Sequence, residues 1–141
     1  MSKRESIASN VVSALNAVSA IKFVTREPFD FTKLSNAQYP AIIVQTGPET
    51  RDDITIGGGN ITREGSIDYQ IIGYVKDTVI DKARNDLIEL IEEALDTDRT
   101  RGGSALDTQI VSVETDEGSI SPIGGVIVTV RVLYNFTRGA V

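Results

Sequence analysis

Neither cysteine nor histidine occurs in this 141-residue chain. Without cysteine there is no disulfide, no thiolate metal site and no sulfur nucleophile. Without histidine the chain lacks the side chain most used for proton transfer near neutral pH, and every Ser-His and Cys-His catalytic arrangement is excluded. An enzyme built on this sequence would have to work with carboxylates, lysine, tyrosine or a borrowed cofactor. Long apolar runs are missing too: none approaches the roughly 20 residues that a bilayer-crossing helix needs. The opening Met-Ser-Lys-Arg-Glu-Ser leads into Ile7, Ala8, Ser9 and Asn10, too polar for the apolar part of a secretion signal, so a cytoplasmic product is expected. Cations are in deficit, 14 Lys and Arg against 20 Asp and Glu. The net charge of −6 argues against a general affinity for nucleic-acid phosphates.

What is present is ordinary globular material, 40% hydrophobic and 24% charged, of a length that suits one domain over 1–141 with a single core. Ile7, Val11, Val12, Leu15, Val18 and Ile21 recur at helical spacing and predict an amphipathic helix over 6–20. Its polar face of Ser and Asn has weak helix propensity. Alternation over 21–25 predicts a short strand that ends before Pro28. Residues 27–38 show no period and read as a loop. Residues 39–46 follow as a strand entered through Pro40, and the run Ala41, Ile42, Ile43, Val44 is apolar on both faces, which predicts burial on both sides. Gly47 and Pro48, followed by charged residues to 53, read as a turn or polar loop.

Ile54, Thr55, Ile56 and Ile61, Thr62, Arg63 flank Gly57, Gly58, Gly59 and Asn60, the pattern of a hairpin tip. A long strand over 65–76 has Ile67, Tyr69, Ile71, Gly73 and Val75 on one face. A second helix runs from a cap at Asp77 or Thr78 through Leu95, with Ile80, Ala83, Leu87, Leu90, Ile91 and Ala94 as its apolar stripe. Residues 97–104 read as a flexible charged loop. Strands over 108–115 and 125–137 close the chain, joined by a turn-rich connection. The expected fold is α+β: a largely antiparallel, mixed sheet flanked by two helices, with a projecting β-hairpin arm.

Motifs that point to chemistry are sparse. The Gly57–Asn60 stretch lacks the Gly-Lys-Ser/Thr ending of a phosphate loop and opens no helix. Asn60-Ile61-Thr62 matches a glycosylation acceptor, which has no meaning without secretion. The carboxylate pairs Asp52 with Asp53, and Asp77 with Asp81, lack the spacing of a calcium loop and read as a turn and a helix cap. No catalytic, cofactor-binding or metal-ligating residues are assigned. The acidic helix face with Asp86, Glu89, Glu92, Glu93 and Asp96 reads as solvated surface or as the wall of an opening.

The layout as a whole resembles the phage tail terminator family. The resemblance rests on the N-terminal helix, Arg26-Glu27-Pro28, the Tyr39-Pro40 apolar strand and the turn with Gly47 and Glu49. It extends over the long strand, the amphipathic helix over 80–95, Gly102-Gly103, and the Val-rich last strand with Tyr134. It implies a non-enzymatic structural virion protein at the head-proximal end of the tail. Such a subunit forms a homohexameric ring that stops tube polymerisation and offers a surface to the head. The implied partners are further copies of the chain, the tail tube protein and a head-completion or neck protein. DNA would pass through the lumen without specific binding, with no cofactor and no membrane. Apolar side chains on a projecting arm await a partner, so Ile54, Ile56, Gly58, Ile61 and Arg63 are the expected subunit-interface residues, together with Arg99 and Arg101 in the second loop; the alternative for the arm is a hairpin folded back on its own domain. Two alternatives stay open: another neck or head-completion subunit, and a small carboxylate-dependent enzyme.

Overall fold

A computed structural model of the chain describes residues 2–53, 62–115 and 122–137. Helix α1 (Lys3–Asn16) is followed by β1 (Phe23–Thr25), two single 3-10 turns, β2 (Ala41–Asp53), β3 (Thr62–Lys76), α2 (Ile80–Asp96), β4 (Asp107–Thr115) and β5 (Ile123–Thr137). The strands form one open sheet in the order β1-β2-β3-β5-β4. β1 runs parallel to β2 and every other pair is antiparallel. The fold is therefore α+β with a mixed, largely antiparallel sheet.

Cross-strand register explains which residues are buried. Direct partners lie on one face, and the rows Ile42–Gly73–Val126, Val44–Ile71–Val128 and Glu49–Ile67–Val132 all point to the same side. Both helices cover that side and touch one another. α1 packs on β1 and β2, and α2 on β3, β5 and β4. Ile7, Val11 and Leu15 of α1, spaced by four, and Leu87, Ile91 and Leu95 of α2 are fully buried against it. Gly73 leaves room for Leu87, whose Cδ2 would lie 2.6 Å from a Cβ at that position.

Among the described residues the opposite face carries no α-helix. Residues 27–38 cover part of it: Phe31 stacks on Tyr74 with ring centroids 4.3 Å apart, and Phe29 bridges Phe23 and Tyr74. These rings sit on the Ala41–Tyr74–Gly125 row. The expected double burial is observed, with Ala41, Ile42, Ile43 and Val44 all inside.

Several expected boundaries move. α1 starts at Lys3 because Ser2 caps it, accepting a bond from Glu5 N at 3.1 Å, and it stops at Asn16, four residues early. The cap of α2 is Val79, with no side-chain cap of its own, while Asp77 Oδ1 accepts from Val79 N at 3.0 Å just outside the helix. The largest correction concerns 47–53. These residues are no loop; they continue β2 to Asp53, opposite Arg63. Thr46 pairs with Tyr69 and Glu49 with Ile67, so Gly47 and Pro48 together oppose Asp68 alone. This is a β-bulge, one of the few places inside a sheet where proline is tolerated. Gly47 is needed there, because a Cβ would lie 2.7 Å from the Asp68 carbonyl oxygen.

Candidate subunit interface

The bulge decides the chemistry of the arm root. Side chains alternate along a strand, so an extra residue exchanges the two faces beyond it. Glu49 and Arg51 are thereby turned to the helix side, opposite Ile67 and Gly65. The Glu49 side chain is only 8% exposed. It meets Arg4 Nε at 3.1 Å, accepts a bond from the Arg51 Nε–H, and accepts the Tyr134 hydroxyl at 3.0 Å. Burying a carboxylate is tolerable only with such partners.

Gly65 makes this reach possible. It pairs directly with Tyr134, and a Cβ there would lie 2.5 Å from the ring carbon Cε1. The tyrosine ring lies across the glycine and carries its hydroxyl to Glu49. Burial, and after it the bond to Glu49, holds the Tyr134 proton above its ordinary value. Phe136 stacks on Tyr134, and the guanidinium of Arg51 lies 4.6 Å above the Phe136 ring, with that of Arg63 at 6.0 Å. Next to this group Arg26 clamps Glu5 at 2.5 Å, and the bond from Arg26 lowers the Glu5 carboxyl below its ordinary range. Tyr69, buried beneath Arg4, donates to the Arg4 carbonyl at 3.4 Å, and burial pushes its hydroxyl up to about 12.

Of the residues expected at the interface, Ile54, Ile56, Gly58 and Ile61 lie outside the described residues. Arg63 sits at the arm root, paired with Asp53 on one side and Phe136 on the other. Arg99 is exposed and bound to Asp107, Nε to Oδ1 at 2.7 Å. Arg101 is different: it is 1% exposed. The reading of 97–104 as a flexible solvated loop is therefore corrected. Arg101 takes a positive φ of 51° and donates to the carbonyls of Leu95 and Asp98, satisfying acceptors left over at the end of α2. Asp98 closes the turn, accepting from Thr100 N at 3.0 Å and Gly102 N at 2.8 Å. Thr108 ties it to β4 through the Arg99 carbonyl at 2.8 Å.

Sequence reasoning missed Glu49, Gly65 and Tyr134 as one group, although the resemblance had named Glu49 and Tyr134 separately. Their meeting depends on a bulge. Among the described residues no cluster of acidic side chains is arranged to hold a metal ion. A groove of about 310 Å³ on the opposite face is lined mainly by Phe31, Ile72, Tyr74, Gly125 and Ile127, with Glu114 as its carboxylate. No helix among the described residues is long and apolar enough to cross a membrane.

No family model matches the chain, and no curated protein does. Among solved structures, it is similar in fold to a chain of the virion of a native gene transfer agent particle. The two share 10% identity at a TM-score of 0.51, over 92% of this chain and 94% of that one. At this identity the likeness is one of fold, and it extends over nearly the full length of both chains.

Proposed function

We propose that this chain is a structural virion protein, a tail terminator that forms a ring at the head-proximal end of the tail tube. In this role it stops tube polymerisation and provides the surface to which the head or neck attaches. The observation that carries the reading is the whole-length likeness to a chain of a gene transfer agent virion. It coincides with the independent resemblance of the sequence layout to tail terminators. An open sheet whose two outer strands lie on opposite flanks suits a subunit that joins its neighbours head to tail. The work of such a protein is contact rather than bond chemistry, and the groups best placed in the fold are ion pairs and aromatic rings, which hold surfaces in shape.

The test is to mix the purified chain with polymerising tail tube protein encoded in the same genome. We expect a discrete ring of about six copies by native mass measurement, bound at one end of tubes whose growth has stopped. A chain that stays monomeric at all concentrations and leaves tube growth unchanged overturns the reading. Binding to a head-completion protein but not to tube ends would move the protein to the neck.

A further inference from the structure

α1 and α2 leave a groove of about 410 Å³ between them. Its walls are small side chains, Ala14 and Ala17 at the end of α1 and Ala94 of α2. It opens on the outer side of the helix pair: Ser13 and Ala17 are exposed, while Val11 and Leu15 of the same helix are buried against the sheet. Small side chains let another backbone come close, but alone they do not call for one.

Arg101 does. It lines this groove while only 1% exposed, so it stands at the floor. Its Nη2 donates to the Leu95 and Asp98 carbonyls, but Nε and Nη1 are buried without a hydrogen-bond partner among the described residues. Buried donors left in this state are costly, and an acceptor brought from outside relieves the penalty. The acceptor that fits is neutral. Asp98 and Asp96 already favour the charged form of Arg101, so what its N–H groups lack is an oxygen rather than a negative charge. A main-chain carbonyl meets that need, whereas an incoming carboxylate would be repelled by the same two aspartates. Asn10 and Ser13 also line the groove, adding an amide and a hydroxyl that can pair with a backbone.

We infer that this groove takes the 54–61 segment of a neighbouring copy, with a main-chain carbonyl of that segment on Arg101. The segment, Ile-Thr-Ile-Gly-Gly-Gly-Asn-Ile, carries no charge in a chain of which 24% is charged. Its three glycines have no side chain to hold the backbone off the groove, and its isoleucines suit apolar walls. The segment joins Asp53 of β2 to Thr62 of β3, which are neighbouring strands. Eight residues that go out and return reach at most about 14 Å. Passing round a helix layer about 10 Å thick to the outer groove of the same copy would exhaust that length, so the donor is the next copy. A contact between two different surfaces of one chain is heterologous and repeats around a ring. The inference rests on the ring reading and specifies which surfaces close it.

Because the chain has no cysteine, cross-linking reads the contact directly. Ala17→Cys and Ile56→Cys chains, mixed in equal amounts, assembled and oxidised with copper phenanthroline, should give covalent dimers that neither variant gives alone. The two cysteines in one chain, diluted below assembly, should not close within a monomer. Arg101→Lys keeps the charge but presents fewer N–H groups, and Ala17→Trp fills the groove from an exposed position. Both should stay folded by circular dichroism, and each should weaken ring assembly by about tenfold or more in apparent affinity. Rings that form without the cross-link, a cross-link that closes inside one chain, or either folded variant assembling as readily as wild type overturns the docking while leaving the ring reading intact. Wild-type protein that never assembles, alone or on tail tubes, overturns both.

Discussion

At the arm root Glu49 and Glu5 are held by cations that pair with them, whereas along α2 Glu89, Glu92 and Asp96 stand without a salt-bridge partner among the described residues. Glu49 gathers Arg4, Arg51 and Tyr134, and Glu5 is held by Arg26. Glu89, Glu92 and Asp96 have nothing comparable within the described chain. Surface charges away from such pairs contribute little to folding. The arm root must satisfy its charges internally because they are partly buried. One region uses its polar groups to hold three strands together; the other leaves them at the surface.

The comparison is broken most directly at Glu49. Replacing Glu49 by Ala leaves two guanidinium groups and a tyrosine hydroxyl without their acceptor and should lower stability by about 3 kcal/mol. Urea unfolding of Glu49→Ala and Glu92→Ala side by side is the decisive measurement, because the latter should change by less than about 0.5 kcal/mol. Equal effects would show that the two regions do not differ in kind.

Gly65→Ala should cost about 2 kcal/mol, since the new methyl must displace the Tyr134 ring and with it the bond to Glu49. The loss should be accompanied by a change in the near-ultraviolet dichroism of tyrosine. Arg101→Ala, at the end of α2, should cost about 1.5 kcal/mol by orphaning the Leu95 and Asp98 carbonyls. Hydrogen exchange would place that loosening in the 97–106 turn, with the arm root unaffected.

A smaller effect sits under Arg4. The Tyr69 proton is held to about 12 in the fold against 10.0 without burial. As pH rises the unfolded chain loses this proton first, so the contribution is complete below about pH 10 and declines as pH rises toward 12. Melting midpoints of wild type and Tyr69→Phe should therefore fall with different slopes in that window and run parallel below it. Parallel curves throughout would show that Tyr69 is not shielded as the structure has it.

Much of the framework was legible in the residues. The alternation of Ile67, Tyr69, Ile71, Gly73 and Val75 placed one strand face correctly, and the stripe from Ile80 to Leu95 placed α2. The apolar run from Ala41 to Val44 correctly required cover on both sides, though not that aromatic rings of the 27–38 segment would supply part of it. The glycine and proline at 47 and 48 were misleading, because the pair that usually makes a turn also makes a bulge. Arg101 was misread for a similar reason: a charged residue beside two glycines reads as solvated loop, and only the helix end above it supplies the carbonyls that draw it inside.

By itself the sequence determined the periods, and with them the order of the two helices and the main strands, because a repeat of two or of 3.6 is a local property of the chain. It also determined that no histidine or cysteine chemistry is available. Only the tertiary structure decided that both helices cover one face, that Glu49 turns inward and that Arg101 is buried. Each of these depends on contacts between distant residues, Tyr134 with Glu49 or Arg26 with Glu5, and on a register that one extra residue inverts.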